Sequence, residues 1–132
     1  MIPSGRLGLV ILAVEELELT ARFYEAACGW RREVDVPVYV ELAGEGGARL
    51  GLYQRDAYAR NVGGAPASPA GGIRPTELYV TVADPVAALS RAVEYGGTLR
   101  SPVTPRDWGD EVGYCTDPGG NVVAFARRAD RP

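Results

Sequence analysis

With 132 residues, 46% of them hydrophobic and 23% charged, the chain is long enough for one domain with a core and too short for two. It has no histidine and no lysine, so imidazole metal sites, histidine general bases, Ser–His and Cys–His pairs, P-loop lysines and Schiff-base lysines are all excluded. A net charge of -3 without a basic cluster argues against nucleic acid as a main partner. No stretch approaches the ~20 apolar residues of a membrane span, which argues against a membrane partner too.

From the N-terminus, Met1-Ile2-Pro3-Ser4-Gly5-Arg6 lacks the build of a signal peptide, because the apolar run behind it already reads as a strand. Strands are predicted over residues 7–14, 31–35, 38–43 and 48–54, then over 77–82, 98–103, 112–116 and 121–127. A helix fits after the first strand, since Leu17, Ala21, Tyr24 and Cys28 fall on one helical face. A second helix opens with Asp84 as N-cap and Pro85 at the first turn. It is expected to bury Val86, Leu89 and Val93 and to stop at Gly96-Gly97. Gly44-Glu45-Gly46-Gly47 and Asp117-Pro118-Gly119-Gly120-Asn121 are turns. Residues 55–75, rich in Gly, Pro, Ala and Arg, read as a mobile linker. Cys28 and Cys115 lie too far apart to suggest a disulfide framework, and a reducing cytoplasm is the expected setting.

The order is βαβββ, linker, βαβββ, an internal repeat. Val14-Glu15-Glu16-Leu17 aligns with Val82-Ala83-Asp84-Pro85 at an offset of 68, Gly29 with Gly97 at the same offset, and Gly46-Gly47 with Gly119-Gly120 at 73. The fold class is therefore α+β: one domain over residues 1–132, with module one at 6–54, the linker at 55–75 and module two at 76–127. Strand parity then separates two faces. Val10, Leu12, Val14, Val38, Val40, Leu42, Leu50, Leu52, Leu78, Val80, Val82, Val123 and Phe125 form a uniformly apolar face that the two helices must cover. The opposite face mixes tyrosines with a few charges, which suits the lining of a half-enclosed cavity better than a core.

Val14-Glu15-Glu16-Leu17, Phe23-Tyr24 and Gly29-Trp30, followed by Trp108-Gly109, Tyr114 and Asp117-Pro118-Gly119-Gly120-Asn121, resemble the opening and closing patterns of the vicinal-oxygen-chelate superfamily, which includes glyoxalases, bleomycin-resistance proteins and extradiol dioxygenases. Cys28 stands where that pattern has leucine. The resemblance spans residues 6–127 and implies two βαβββ modules forming a curved mixed β-sheet cup, with the helices on its outer face. Enzymes of the superfamily hold a divalent metal in the cup. Carried over by register, their ligand positions fall on Leu9, Gly51, Glu77 and Ala124, of which only Glu77 can bind a metal. No metal and no cofactor are expected, and the departure argues against glyoxalase I, fosfomycin-resistance and dioxygenase chemistry. The resemblance then points to the non-metal branch, typified by bleomycin-resistance dimers whose drug sits in an aromatic-walled crevice.

The candidate ligand-binding residues are Glu77, Tyr53, Tyr114 and Trp108, expected to face one cavity, with Glu41, Arg49, Tyr39 and Tyr79 as second candidates. Glu77 is read as a carboxylate paired with Arg49, as a polar anchor for ligand, or as a general base with a raised pKa; Glu41 carries the same readings. Trp108, in the polar loop Arg106-Asp107-Trp108-Gly109-Asp110, is read as a lid or stacking surface, or as a dimer contact. Phe23, Tyr24, Trp30 and Cys28 are assigned to packing, and neither cysteine has a neighbour that would activate it. The leading expectation is a metal-free homodimer that sequesters an aromatic or amphipathic, antibiotic-like molecule. The alternatives are a metal-independent isomerase, lyase or cyclase using Glu77 or Glu41 as general acid or base, and a structural dimer.

Overall fold

The computed structural model describes residues 1–67 and 72–129. Module one runs β1 (Leu9–Val14), α1 (Leu17–Cys28), β2 (Arg31–Val36), β3 (Tyr39–Ala43) and β4 (Arg49–Gln54); an extra helix α2 (Arg55–Val62) follows. Module two runs β5 (Glu77–Thr81), α3 (Pro85–Glu94), β6 (Thr98–Pro105), β7 (Glu111–Thr116) and β8 (Val122–Arg127). Each module makes its own four-stranded sheet, in the orders β1-β4-β3-β2 and β5-β8-β7-β6. In both, the first and last strands pair in parallel and the rest antiparallel. The identical order of strands in the two sheets bears out the repeat. No helix among the described residues is long and apolar enough to cross a membrane.

The helices end as their sequences dictate. Asp84 accepts the Ala87 N–H at 3.1 Å ahead of Pro85, capping α3. Gly29 (φ 71°) closes α1 in the left-handed region, its N–H donating to the Glu25 carbonyl. The predicted apolar face forms the core: Leu12, Val14, Val40, Leu42, Leu50, Leu52, Val123 and Phe125 are buried, with Leu78, Val80 and Val82 packed against them. Each fully buried aliphatic or Phe side chain contributes about 1.5–3 kcal/mol. Val10 and Val38 fall outside this set and are 39% exposed.

Helices α1 and α3 pack on each other as well as on their sheets. Buried Phe23 and Tyr24 sit in this contact, Trp30 stacks on Tyr24 with planes 5° apart, and Arg91 Nε donates to the Ala26 carbonyl at 2.9 Å. The Tyr24 hydroxyl donates to Asp117 Oδ2 at 2.7 Å, tying the first helix to the closing hairpin of the second module. Asp117 also accepts the Gly119 and Asn121 N–H groups and the Asn121 amide, which confirms the turn as structural.

Two expectations need correction. Helix α2 occupies the start of the predicted linker, nucleated by Gln54, whose side chain accepts the Asp56 and Ala57 N–H groups. Only Ala57 is buried in it, so it shows no apolar periodicity that a sequence reading would find. Residues 68–71 of that linker lie outside the described residues. Helix α3 buries Pro85, Ala88, Leu89 and Ala92, whereas Val86 and Val93 are 64% and 42% exposed. Ala88 and Ala92 join the core that α3 shares with α1 and with its own sheet.

Candidate functional site

On the face of sheet one opposite the apolar core, Tyr39 lies opposite Tyr53, and Gly51 lies between Glu41 and Ile11. A Cβ at Gly51 would stand 2.5 Å from the Tyr39 hydroxyl, so the glycine makes room for this ring. The Tyr39 hydroxyl donates to Glu41 Oε1 at 2.6 Å, and Arg49 Nη1 donates to Glu41 Oε2 at 3.0 Å. The Tyr39 hydrogen bond, with help from Arg49, holds the Glu41 carboxyl below its ordinary pKa, while burial and Glu41 push Tyr39 up. Glu41 is thus a fixed anion, contrary to the reading of it as a base of raised pKa. Tyr53 meets Tyr39 edge-on at 5.5 Å, and Tyr58 of α2 packs edge-on against Tyr53 at 5.7 Å.

The corresponding face of sheet two carries Glu77, Tyr79 and Tyr114. Tyr79 donates to Asp110 Oδ2 at 2.7 Å and accepts the Trp108 indole N–H at 3.0 Å. The Arg106 guanidinium sits 5.0 Å from the centre of the Tyr114 ring, pinned by the Val112 and Pro102 carbonyls and the Ser101 hydroxyl. Burial, then the Glu77 charge, raises the Tyr114 pKa. Among the described residues, Glu77 makes no hydrogen bond or ion pair, and the hydroxyls of Tyr53, Tyr58 and Tyr114 are likewise unspent.

The eight candidates therefore form two groups, one per sheet: Tyr39, Glu41, Arg49 and Tyr53 on the first, and Glu77, Tyr79, Trp108 and Tyr114 on the second. A cleft of about 410 Å³ between β1 and β5 is lined by Val10, Trp30, Leu50, Leu78 and Val80, with Arg49, Glu77 and Tyr79 also on its walls. Arg49 spends its charge on Glu41, so the expected Glu77–Arg49 pair is not formed. Sequence reading missed Tyr58, hidden in a short polar helix, and Arg106 and Asp110, which flank the Trp108 that drew attention to the loop.

At the metal positions of the superfamily, Leu9 and Ala124 offer no donor and Gly51 lies under Tyr39, leaving Glu77 alone. Among the described residues no three Cys, Asp or Glu side chains gather into a metal-binding group, and the donor set does not fit a divalent ion. Burial pushes both thiols, Cys28 and Cys115, up to about 12, which leaves them inert as nucleophiles at neutral pH.

Several solved structures share the fold. A glyoxalase-related enzyme from Fulvimarina pelagi is 25% identical with a TM-score of 0.82, covering 93% of this chain and 88% of that one. A glyoxalase/bleomycin resistance protein/dioxygenase family enzyme from Burkholderia phytofirmans PsJN is 20% identical with a TM-score of 0.79, covering 93% and 98%. TioX from Micromonospora sp. ML1 is 22% identical with a TM-score of 0.67, covering 93% and 98%. No curated protein matches the chain. The family match itself extends over residues 6–125, and the chain belongs to the Glyoxalase/Bleomycin resistance protein/Dioxygenase superfamily.

Proposed function

We propose that this chain is a metal-free small-molecule-binding protein of the glyoxalase/bleomycin-resistance type, a cytoplasmic homodimer that sequesters an aromatic or amphipathic, antibiotic-like ligand on its tyrosine-bearing faces. The observation that carries this reading is the set of unspent polar groups there. The Tyr53, Tyr58 and Tyr114 hydroxyls and the Glu77 carboxylate have no protein partner among the described residues, although aromatic rings and an arginine are held in place around them. Rings supply stacking area, and Glu77 supplies a charge-assisted hydrogen bond. The open edges of β1 and β5, which a partner would cover, support the reading of a second chain.

A ligand screen by thermal shift tests the reading, because a compound that binds only the folded state raises the melting temperature. With a hit in hand, Trp108→Ala and Glu77→Gln should each weaken binding by roughly 1–3 kcal/mol while leaving the melting temperature of the free protein nearly unchanged. Large stability losses with unaltered affinity would mean that these residues only pack. Native mass spectrometry should return a dimer without a divalent ion; one Ni, Zn, Fe or Mn per chain, or a 14 kDa species alone at micromolar concentration, would overturn that part.

The second reading, a metal-independent isomerase, lyase or cyclase, narrows to Glu77 as the proton carrier. Glu41 is already engaged by Tyr39 and Arg49, which hold it as a carboxylate. Under this reading, Glu77→Gln removes turnover while preserving affinity.

A further inference from the structure

Trp108 is 53% exposed, at the tip of the β6–β7 hairpin, where a free indole would sample many orientations. It does not hang free. Its N–H reaches the Tyr79 hydroxyl, and that hydroxyl reaches Asp110, which is 1% exposed at the base of the same hairpin. Asp110 is fully engaged: Oδ1 accepts the Ala129 N–H at 2.8 Å, Oδ2 accepts Tyr79, and Arg128 Nε stands 3.7 Å from Oδ2. The hairpin itself is closed by the Arg106 N–H on the Asp110 carbonyl at 2.9 Å and the Gly109 N–H on the Arg106 carbonyl at 2.9 Å.

We infer that Asp110 is a positioning residue that sets Trp108 through Tyr79, making the indole a fixed wall of the ligand site and not a swinging lid. This rests on the binding role proposed above for the tyrosine faces. The direction of each link is forced. A carboxylate accepts only, so the Tyr79 hydroxyl must point its proton at Asp110. Its remaining lone pairs then face outward, and indole, which donates only, is the partner that fits them. The buried carboxylate thus determines which way an exposed aromatic ring lies. A ligand stacking on a ring already held in place avoids the entropy of ordering it.

Asparagine at 110 is nearly isosteric yet breaks the relay. If its carbonyl keeps the Ala129 N–H, its NH2 donates to the Tyr79 oxygen and competes with the indole. If the carbonyl turns to Tyr79, two donors collide at Ala129. The test uses 1H–15N spectra of the full chain without ligand, so its failure is distinguishable from failure to bind one. Two indole resonances are expected, from Trp30 and Trp108, and Trp108→Phe assigns them. In Tyr79→Phe and in Asp110→Asn the Trp108 signal should shift, and its proton should exchange about tenfold faster, the factor of one lost hydrogen bond. The Trp30 signal should stay in place. A Trp108 signal unmoved by either variant would overturn the proposal. Should Asp110→Asn not fold, the unsubstituted protein decides: a slowly exchanging Tyr79 hydroxyl proton with a cross-peak to the Trp108 indole proton is expected, and its absence overturns the relay. With proflavine as a flat aromatic probe, a wall set by Tyr79 predicts weaker binding in Tyr79→Phe even though Trp108 is intact. Equal affinity in Tyr79→Phe and the parent would remove the functional part.

Discussion

Replacing Asp117 by alanine is expected to cost about 3–5 kcal/mol, because it removes the acceptor of several hydrogen bonds at once and bonds to a carboxylate are worth about 1.5–3 kcal/mol each before relaxation. Asp117 is 3% exposed and collects the Tyr24 hydroxyl, two backbone N–H groups and the Asn121 amide. Alanine would leave the buried Tyr24 hydroxyl and Asn121 donors without that acceptor, and each unsatisfied buried donor costs roughly 1–3 kcal/mol before relaxation. The midpoint should fall by roughly 10–20 °C in a domain of this size. Tyr24→Phe isolates one strand of the network. It keeps the ring stacked on Trp30 and deletes only the hydroxyl, so a loss of about 1–2 kcal/mol is expected. Urea denaturation followed by circular dichroism measures both. A loss below about 1 kcal/mol in Asp117→Ala would mean that the hairpin keeps its shape without the carboxylate and that the two modules are not locked through it.

That network also shows where sequence reading reaches and where it stops. Alternation along the strands sorted the buried from the open side chains because a strand has only two faces, and a register error would have put Leu42 and Leu52 in water. The Asp-Pro-Gly-Gly-Asn turn was legible as a turn for the same local reason. Its partner Tyr24, 93 residues away, was not, since a long-range hydrogen bond leaves no periodic trace. Helix α3 misled in a different way. Val86 and Val93 outrank Ala88 and Ala92 on any hydrophobic scale, yet the helix, packed against both α1 and its own sheet, turns its alanines inward and leaves the valines in water. Of the site, parity placed the tyrosines on the open side, but it could not foresee that Arg49 would choose Glu41 over Glu77. That choice depends on two neighbouring strands being antiparallel and in register, with Glu41 beside Gly51 and Ala43 beside Arg49.

Gly97→Ala should destabilise the protein by about 3 kcal/mol, at the upper end of what overpacking usually costs. The repeat aligns Gly97 with Gly29, and the two glycines have different reasons to be there. Gly29 needs its positive φ of 71° to end α1 and has open space around it, and Gly96 (φ 104°) does the same work after α3. Gly97 needs the space. A Cβ there would lie 2.8 Å from the Ala92 carbonyl oxygen, 2.8 Å from the Phe23 ring and 3.0 Å from the Thr116 carbonyl oxygen. Two of these three are backbone atoms, one in a helix and one in a strand, and neither can swing aside as a flexible side chain would. The third belongs to a ring with no exposed surface. The module contact would have to open by several tenths of an ångström, which a close-packed interior resists. At Gly29 alanine meets no neighbour and costs only its left-handed backbone, about 1–2 kcal/mol. Parallel thermal melts of the two variants should therefore rank Gly97→Ala clearly below Gly29→Ala. The opposite ranking would show that the contact between α1, α3 and β7 yields more easily than its geometry implies.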